Sequence, residues 1–152
     1  MKRLATPLSL LACAALVLSG LAGSALAEDT HVALFKSVSG SIKVQRAGAL
    51  LDAAPGTTLE VSDRIISGPA AVAGIVFKDG TLLTVGPSSD LQVRDYVFAP
   101  STAKYGFDLY LARGSAVYSS GKIGKIAPET VKVSSPTATV GVRGTRFIIQ
   151  AE

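Results

Sequence analysis

Cysteine is nearly missing from this chain. Cys13 is the only one in 152 residues, His31 is the only histidine, and tryptophan is absent. Cys13 falls inside a leader-like stretch, so the remainder has no thiol. That excludes disulfides, Cys-built metal sites, iron–sulfur clusters and thiolate nucleophiles there. A single histidine leaves any Ser-His-Asp or zinc hydrolase resting on His31, close to the expected start of the exported chain, where termini are ordinarily loose. An excess of one charge is lacking too. The basic residues are scattered, with Lys122 and Lys125 the nearest to a cluster, so no electrostatic nucleic-acid footprint exists. Nor does any apolar run beyond residue 27 reach membrane-spanning length.

Met1-Lys2-Arg3, the apolar run Leu8 to Leu18 and the site Ala25-Leu26-Ala27 have the form of a cleavable secretory signal. Residues 1–27 are expected to be removed after Ala27. Leu10-Leu11-Ala12-Cys13 offers a rival, lipoprotein-type site. The stretch Ala14 to Leu21 beyond it is too apolar for a lipoprotein tether, and Cys13 is read as one more apolar residue of the signal core. Residues 28–152 then form one domain of 125 residues, enough for a single core. Without Lys2 and Arg3, 13 basic residues stand against 11 acidic, so the net charge of +4 falls to +2.

Apolar residues along this part recur with a period of two in short segments punctuated by Gly, Pro, Asp and Ser, which predicts strands throughout and no convincing helix. Strands are expected at Val32–Val38, Ile42–Arg46, Leu59–Val61, Arg64–Ser67, Ala71–Phe77, Thr81–Val85, Leu91–Val97, Phe107–Ala112, Ala116–Tyr118, around Val131–Val133, Thr137–Val142 and Thr145–Ala151, with a further short one conceivable at Ile123–Ile126. Gly68-Pro69 closes a strand. Between Phe77 and Thr81, a three-residue loop with Gly80 left-handed pairs Ile75 with Leu83 and Ala73 with Val85, keeping apolar residues opposite each other. A two-residue loop would pair Ile75 with Thr84. Asp79 is read as turn chemistry. Ala99 to Gly106 is expected to be the longest loop and a place for functional variation. Ten to twelve short strands at this spacing predict an all-β, jelly-roll-like β-sandwich, with a β-roll as the alternative.

The segments VSDRIISG (61–68), IVFKDGTLLTVGPSSDLQV (75–93), FDLYLARG (107–114) and VKVSSPTATVGVRGTRFII (131–149) together resemble FecR-type domains from about Gly40 onward. The resemblance implies an all-β sandwich and a periplasmic signalling role beside a TonB-dependent transporter and a sigma factor. The founding members carry a cytoplasmic anti-sigma segment and a membrane helix, where here a cleavable signal is expected. A free-standing periplasmic module is therefore the expectation, with a secreted or cell-surface location as the alternative. The motif residues implied are Asp63, Gly68, Asp79, Gly80, Gly141, Arg143, Gly144, Thr145 and Phe147.

Period-two counting places Thr139, Gly141, Arg143, Thr145, Phe147 and Ile149 on one face, which would put Arg143 beside Phe147 in the core. A bulge at Gly144 in a central strand would separate them, and the glycines would admit a close backbone. Arg143 is expected to pair bidentately with a carboxylate, best Asp63.

No catalytic, cofactor or metal constellation emerges. The carboxylates sit in turns or on solvent-facing strand positions, the EF-hand spacing is absent, and Gly141 to Thr145 lacks the lysine and the following helix of a phosphate loop. Tyr96, Tyr105, Tyr110 and Tyr118 are read as edge residues with wet hydroxyls, with Tyr105 and its loop the candidate contact. The expected function is a non-enzymatic exported binding or sensory module that recognises an envelope protein or cell-surface ligand. The alternative is a structural or self-associating envelope protein, and a homo-oligomer is left open.

Overall fold

The computed structural model describes residues 28–143 and 146–152. The segment read as a signal therefore lies outside the described residues. The chain forms β1 (Ala33–Ser39), β2 (Ile42–Arg46), β3 (Ala49–Asp52), β4 (Thr58–Leu59), β5 (Arg64–Ser67), β6 (Val72–Phe77), β7 (Leu82–Val85), β8 (Asp90–Ala99), β9 (Lys104–Ser119), α1 (Lys122–Ile126), β10 (Val131–Ser134), β11 (Thr139–Gly141) and β12 (Arg146–Ala151). The all-β class holds, with the twelve strands curled around one core.

One strand belongs to both layers. The first half of β9 joins a sheet of order β3-β2-β5-β8-β9-β10-β11, and its second half joins β4-β1-β6-β7-β9-β12. Every pairing is antiparallel except β10 on β9, which α1 and the 3-10 turn Pro128–Thr130 make parallel by carrying the chain back.

Gly114 makes the sharing possible. Before it, Phe107, Leu109 and Leu111 point inward; beyond it, Ala116 and Tyr118 do. The register against β8 skips from Leu111 to Arg113, and Gly114 has φ +90°. This bulge shifts the inward set from odd to even positions, so a single strand faces the same core from two sheets. A Cβ at Gly114 would lie 2.4 Å from Ser89 Cα, a backbone clash no rotamer relieves. The strand break expected at Arg113-Gly114 does not occur, because a left-handed glycine within a bulged strand has the same local signature as a turn.

The buried apolar residues form one cluster. Its centre is a chain of rings: Phe107 packs on Phe77 at 4.9 Å, on Tyr96 at 5.7 Å and on Tyr118 at 5.5 Å, and Tyr118 packs on Phe147 at 5.1 Å. Edge-to-face and tilted contacts of this kind add to the burial of large aromatic area. Tyr96 and Tyr118 are thus core residues, which corrects the reading of both as wet edge caps.

Three further expectations are corrected. Ala99 to Gly106 is a tight hairpin end: Val97 pairs with Gly106 and Ala99 with Lys104 around the 3-10 turn Pro100–Thr102. Ile123–Ile126 belongs to the short helix α1. And β3, unanticipated, pairs with β2 through the two-residue turn Ala47-Gly48, both with positive φ. Ala-Gly lacks the asparagine or aspartate that usually announces such a turn.

Candidate functional site

The turn Glu60 to Asp63 leads into β5. Asp63 is 1% exposed, and its carboxylate accepts from the Glu60 N–H at 2.8 Å and from both forks of Arg46, Nε at 2.9 Å and Nη2 at 2.6 Å. Arg46 also reaches Glu60 at 2.8 Å. Hydrogen bonding to Asp63, assisted by the two acidic charges, raises the Arg46 pKa against the cost of its own burial. The expected Asp63–Arg143 pair is therefore not formed, because the last residue of β2 already occupies both carboxylate oxygens, while Arg143 is exposed. Nothing in IKVQRAG marks Arg46 for this role, since its partner is 17 residues away along the chain.

Gly68, directly after β5, donates to Ser41 O at 2.9 Å and accepts from Ser88 N–H at 2.9 Å. Ser67 Oγ beside it donates to Gly86 O at 2.6 Å and accepts from Ser89 N–H at 2.8 Å. The SG and GPSS segments are therefore one hydrogen-bonded joint.

Asp79 sits in the β6–β7 turn in the expected register, Ala73 opposite Val85 and Ile75 opposite Leu83, with Gly80 at φ +85°. It is more than a turn residue. Only 1% exposed, its carboxylate accepts from Thr81 N–H at 3.2 Å, Thr81 Oγ1 at 2.7 Å, Tyr96 Oη at 3.1 Å and Ile123 N–H at 3.1 Å. One side chain thereby joins a hairpin of the second sheet, strand β8 of the first and the start of α1. Burial first, and the Asp79 charge next, hold the Tyr96 phenol well above its usual pKa. Burial likewise raises Tyr118.

Tyr105, half-buried, stacks on Phe98 at 6.2 Å and lines an open recess of about 330 Å³ with Asp95, Asp108, Glu129, Thr130 and Lys132. Asp95 and Asp108 lie opposite each other across β8 and β9. Arg94, next to them, covers the Tyr110 ring at 3.8 Å.

The segment that ends the chain is not one central strand. Among the described residues β11 pairs only with β10, Gly141 is exposed with nothing within 4 Å of a Cβ, and β12 lies in the other sheet. Apart from its ladder partner Lys132, nothing described crowds Gly141, and a Cβ there would meet open space, so the close approach expected of this glycine is not what the strand requires. The inward parity does change, from Val142 to Phe147 and Ile149, but the bulge expected at Gly144, like the motif residue Thr145, lies outside the described residues. Phe147 is half-buried against the core, and Arg143 and Val142 line a second recess of about 360 Å³ with Pro128, Glu129 and Gly141.

The family model described as FecR protein matches residues 63–152. The chain belongs to the FecR family. The matched span begins at the buried Asp63 and takes in the Asp79 junction, β9 and both terminal strands, while β1 to β4 precede it. FecR domains occur in signalling regulators, which makes this chain a signalling-type module. No curated protein and no solved structure matches the chain. Among the described residues of this FecR domain no helix is long and apolar enough to cross a membrane, and no group of three or more His, Cys, Asp or Glu could hold a metal ion.

Proposed function

We propose that this FecR protein is exported, loses residues 1–27, and acts as one domain over 28–152 in the periplasm, where it binds an envelope protein without catalysing a reaction. The match of residues 63–152 to the FecR family carries this reading. It is supported by what the conspicuous carboxylates do: Asp63 and Asp79 are consumed by internal donors, and Asp90 is held by Arg64. Groups so occupied serve the scaffold, and recognition falls to the surface.

The contact is assigned to the Tyr105 recess. An aromatic ring on a rigid hairpin, beside Asp95 and Asp108 facing each other, suits a partner that presents a basic or amide-rich segment. The test expresses the full chain with its own leader in a Gram-negative host. Mass spectrometry of the periplasmic fraction should find a chain starting at Glu28. A photo-crosslinking residue at Tyr105 should give a discrete adduct with one envelope protein, absent when the probe replaces Lys36 on the second sheet. An unprocessed, membrane-retained chain would overturn export, and probes at both positions giving the same products would overturn the contact.

A further inference from the structure

The two sheets end in four outer strands, and three of them are short: β4 has two residues, β11 three and β3 four. β12 differs. It runs for six residues, RFIIQA, and among the described residues it pairs only with β9 along one side. Among the described residues no strand lies along its other side, which leaves a row of backbone N–H and C=O groups there without a ladder partner. Proteins usually blunt such an edge with proline, lysine or a bulge, and β12 has none of these. Instead it exposes Ile148, at 68% the most exposed large apolar residue described.

The order of residues is self-complementary. Arg146, Ile148, Gln150 and Glu152 are exposed on the outer face, while Phe147, Ile149 and Ala151 turn inward. If two copies of this strand run antiparallel about a two-fold axis at Ile149, Arg146 of each copy faces Glu152 of the other and Ile148 faces Gln150. Both opposite charges then meet at each end of the ladder, on one face, at cross-strand spacing.

We propose that two copies of this protein associate through β12, forming a C2 dimer in which the second sheet of each continues into that of the other across this register. The unpaired backbone row supplies the affinity, as in strand addition generally, and the two Arg146–Glu152 pairs choose the register. The dimer stands apart from the partner contact, because the Tyr105 recess belongs to the first sheet. Either can fail without the other.

The experiment measures the mass of the protein, purified from expression of the full 152-residue chain, by sedimentation over a wide concentration range. A monomer–dimer equilibrium is expected. Glu152→Arg turns two attractions into two repulsions and should weaken dimerisation roughly tenfold. The double exchange Arg146→Glu with Glu152→Arg should restore it, and Ile148→Lys should abolish it. Circular dichroism of each variant at low concentration guards against misfolding, which is not expected for exposed positions. A monomer at every concentration overturns the proposal. So does a dimer indifferent to Glu152→Arg, or one that the double exchange fails to rescue.

Discussion

Asp79 and Asp63 are both acidic residues at the head of a strand, and both are buried against several donors. Removing such an acceptor leaves donors stranded away from water, which costs more than the net worth of the bonds. Asp79→Ala is expected to lower stability by about 3 kcal/mol in urea unfolding, since four donors lose one acceptor. Arg46→Ala should cost about 2 to 3 kcal/mol, discounted from a fully buried pair because Arg46 is partly wet. Arg143→Ala, by contrast, should leave the melting curve within about 0.5 kcal/mol, as expected for an exposed side chain. The two tyrosines separate in the same way. Tyr96 Oη accepts from Asp79 N–H at 2.8 Å, so Tyr96→Phe should cost about 2 kcal/mol at neutral pH. Among the described residues Tyr118 Oη is buried without a hydrogen-bond partner, and Tyr118→Phe should be close to neutral.

Among the elements, β9 decides the architecture. Its sixteen residues touch both sheets, and its bulge at Gly114 lets each half point the right side chains inward. Gly114→Ala combines a positive φ with a clash against Ser89 backbone, so a loss of about 3 kcal/mol or more, or failure to fold, is expected in the same urea assay. Amide hydrogen exchange should be slowest in β9, which has strands on both sides at residues 107–110 and 116–119, and fastest in β3 and β11, each paired on one side only among the described residues. Exchange of equal rate in β9 and β3 would contradict the central position given to β9.

At the scale of the whole molecule, the two buried phenols tie stability to pH. Both have folded-state pKa values raised above that of an exposed tyrosine. A raised folded value means that the unfolded chain loses its protons first, so the contribution is complete below about pH 10 and declines as pH rises beyond it. With two such groups, stability should fall as pH rises above that point. Tyr118→Phe should make the decline shallower in alkaline melts. A slope unchanged in that variant would place the titration elsewhere.

The strand pattern was open to reading before any coordinate. Period-two apolar spacing marks every described strand except β3, with β4 met only at Leu59 and β9 in two pieces, and the choice between two loop lengths at Lys78-Asp79-Gly80 follows from keeping Ile75 opposite Leu83, as the structure has it. The motif segments 61–68, 75–93, 107–114 and 131–149 sufficed for the FecR resemblance, and the family match covers them from Asp63 onward. These signals are local: a side chain's inward or outward sense is set by its neighbours two positions away. What the tertiary structure alone decided is who meets whom across distance. Arg46, not Arg143, reaches Asp63, because β2 lies beside β5 while Val142 and Arg143 follow a strand at the far edge of the first sheet. β9 passes through both layers, and Tyr96 and Tyr118 lie inside. None of this is carried by spacing, since a bulge of one residue reverses every face beyond it, and a carboxylate takes whichever guanidinium the sheet order brings within about 3 Å.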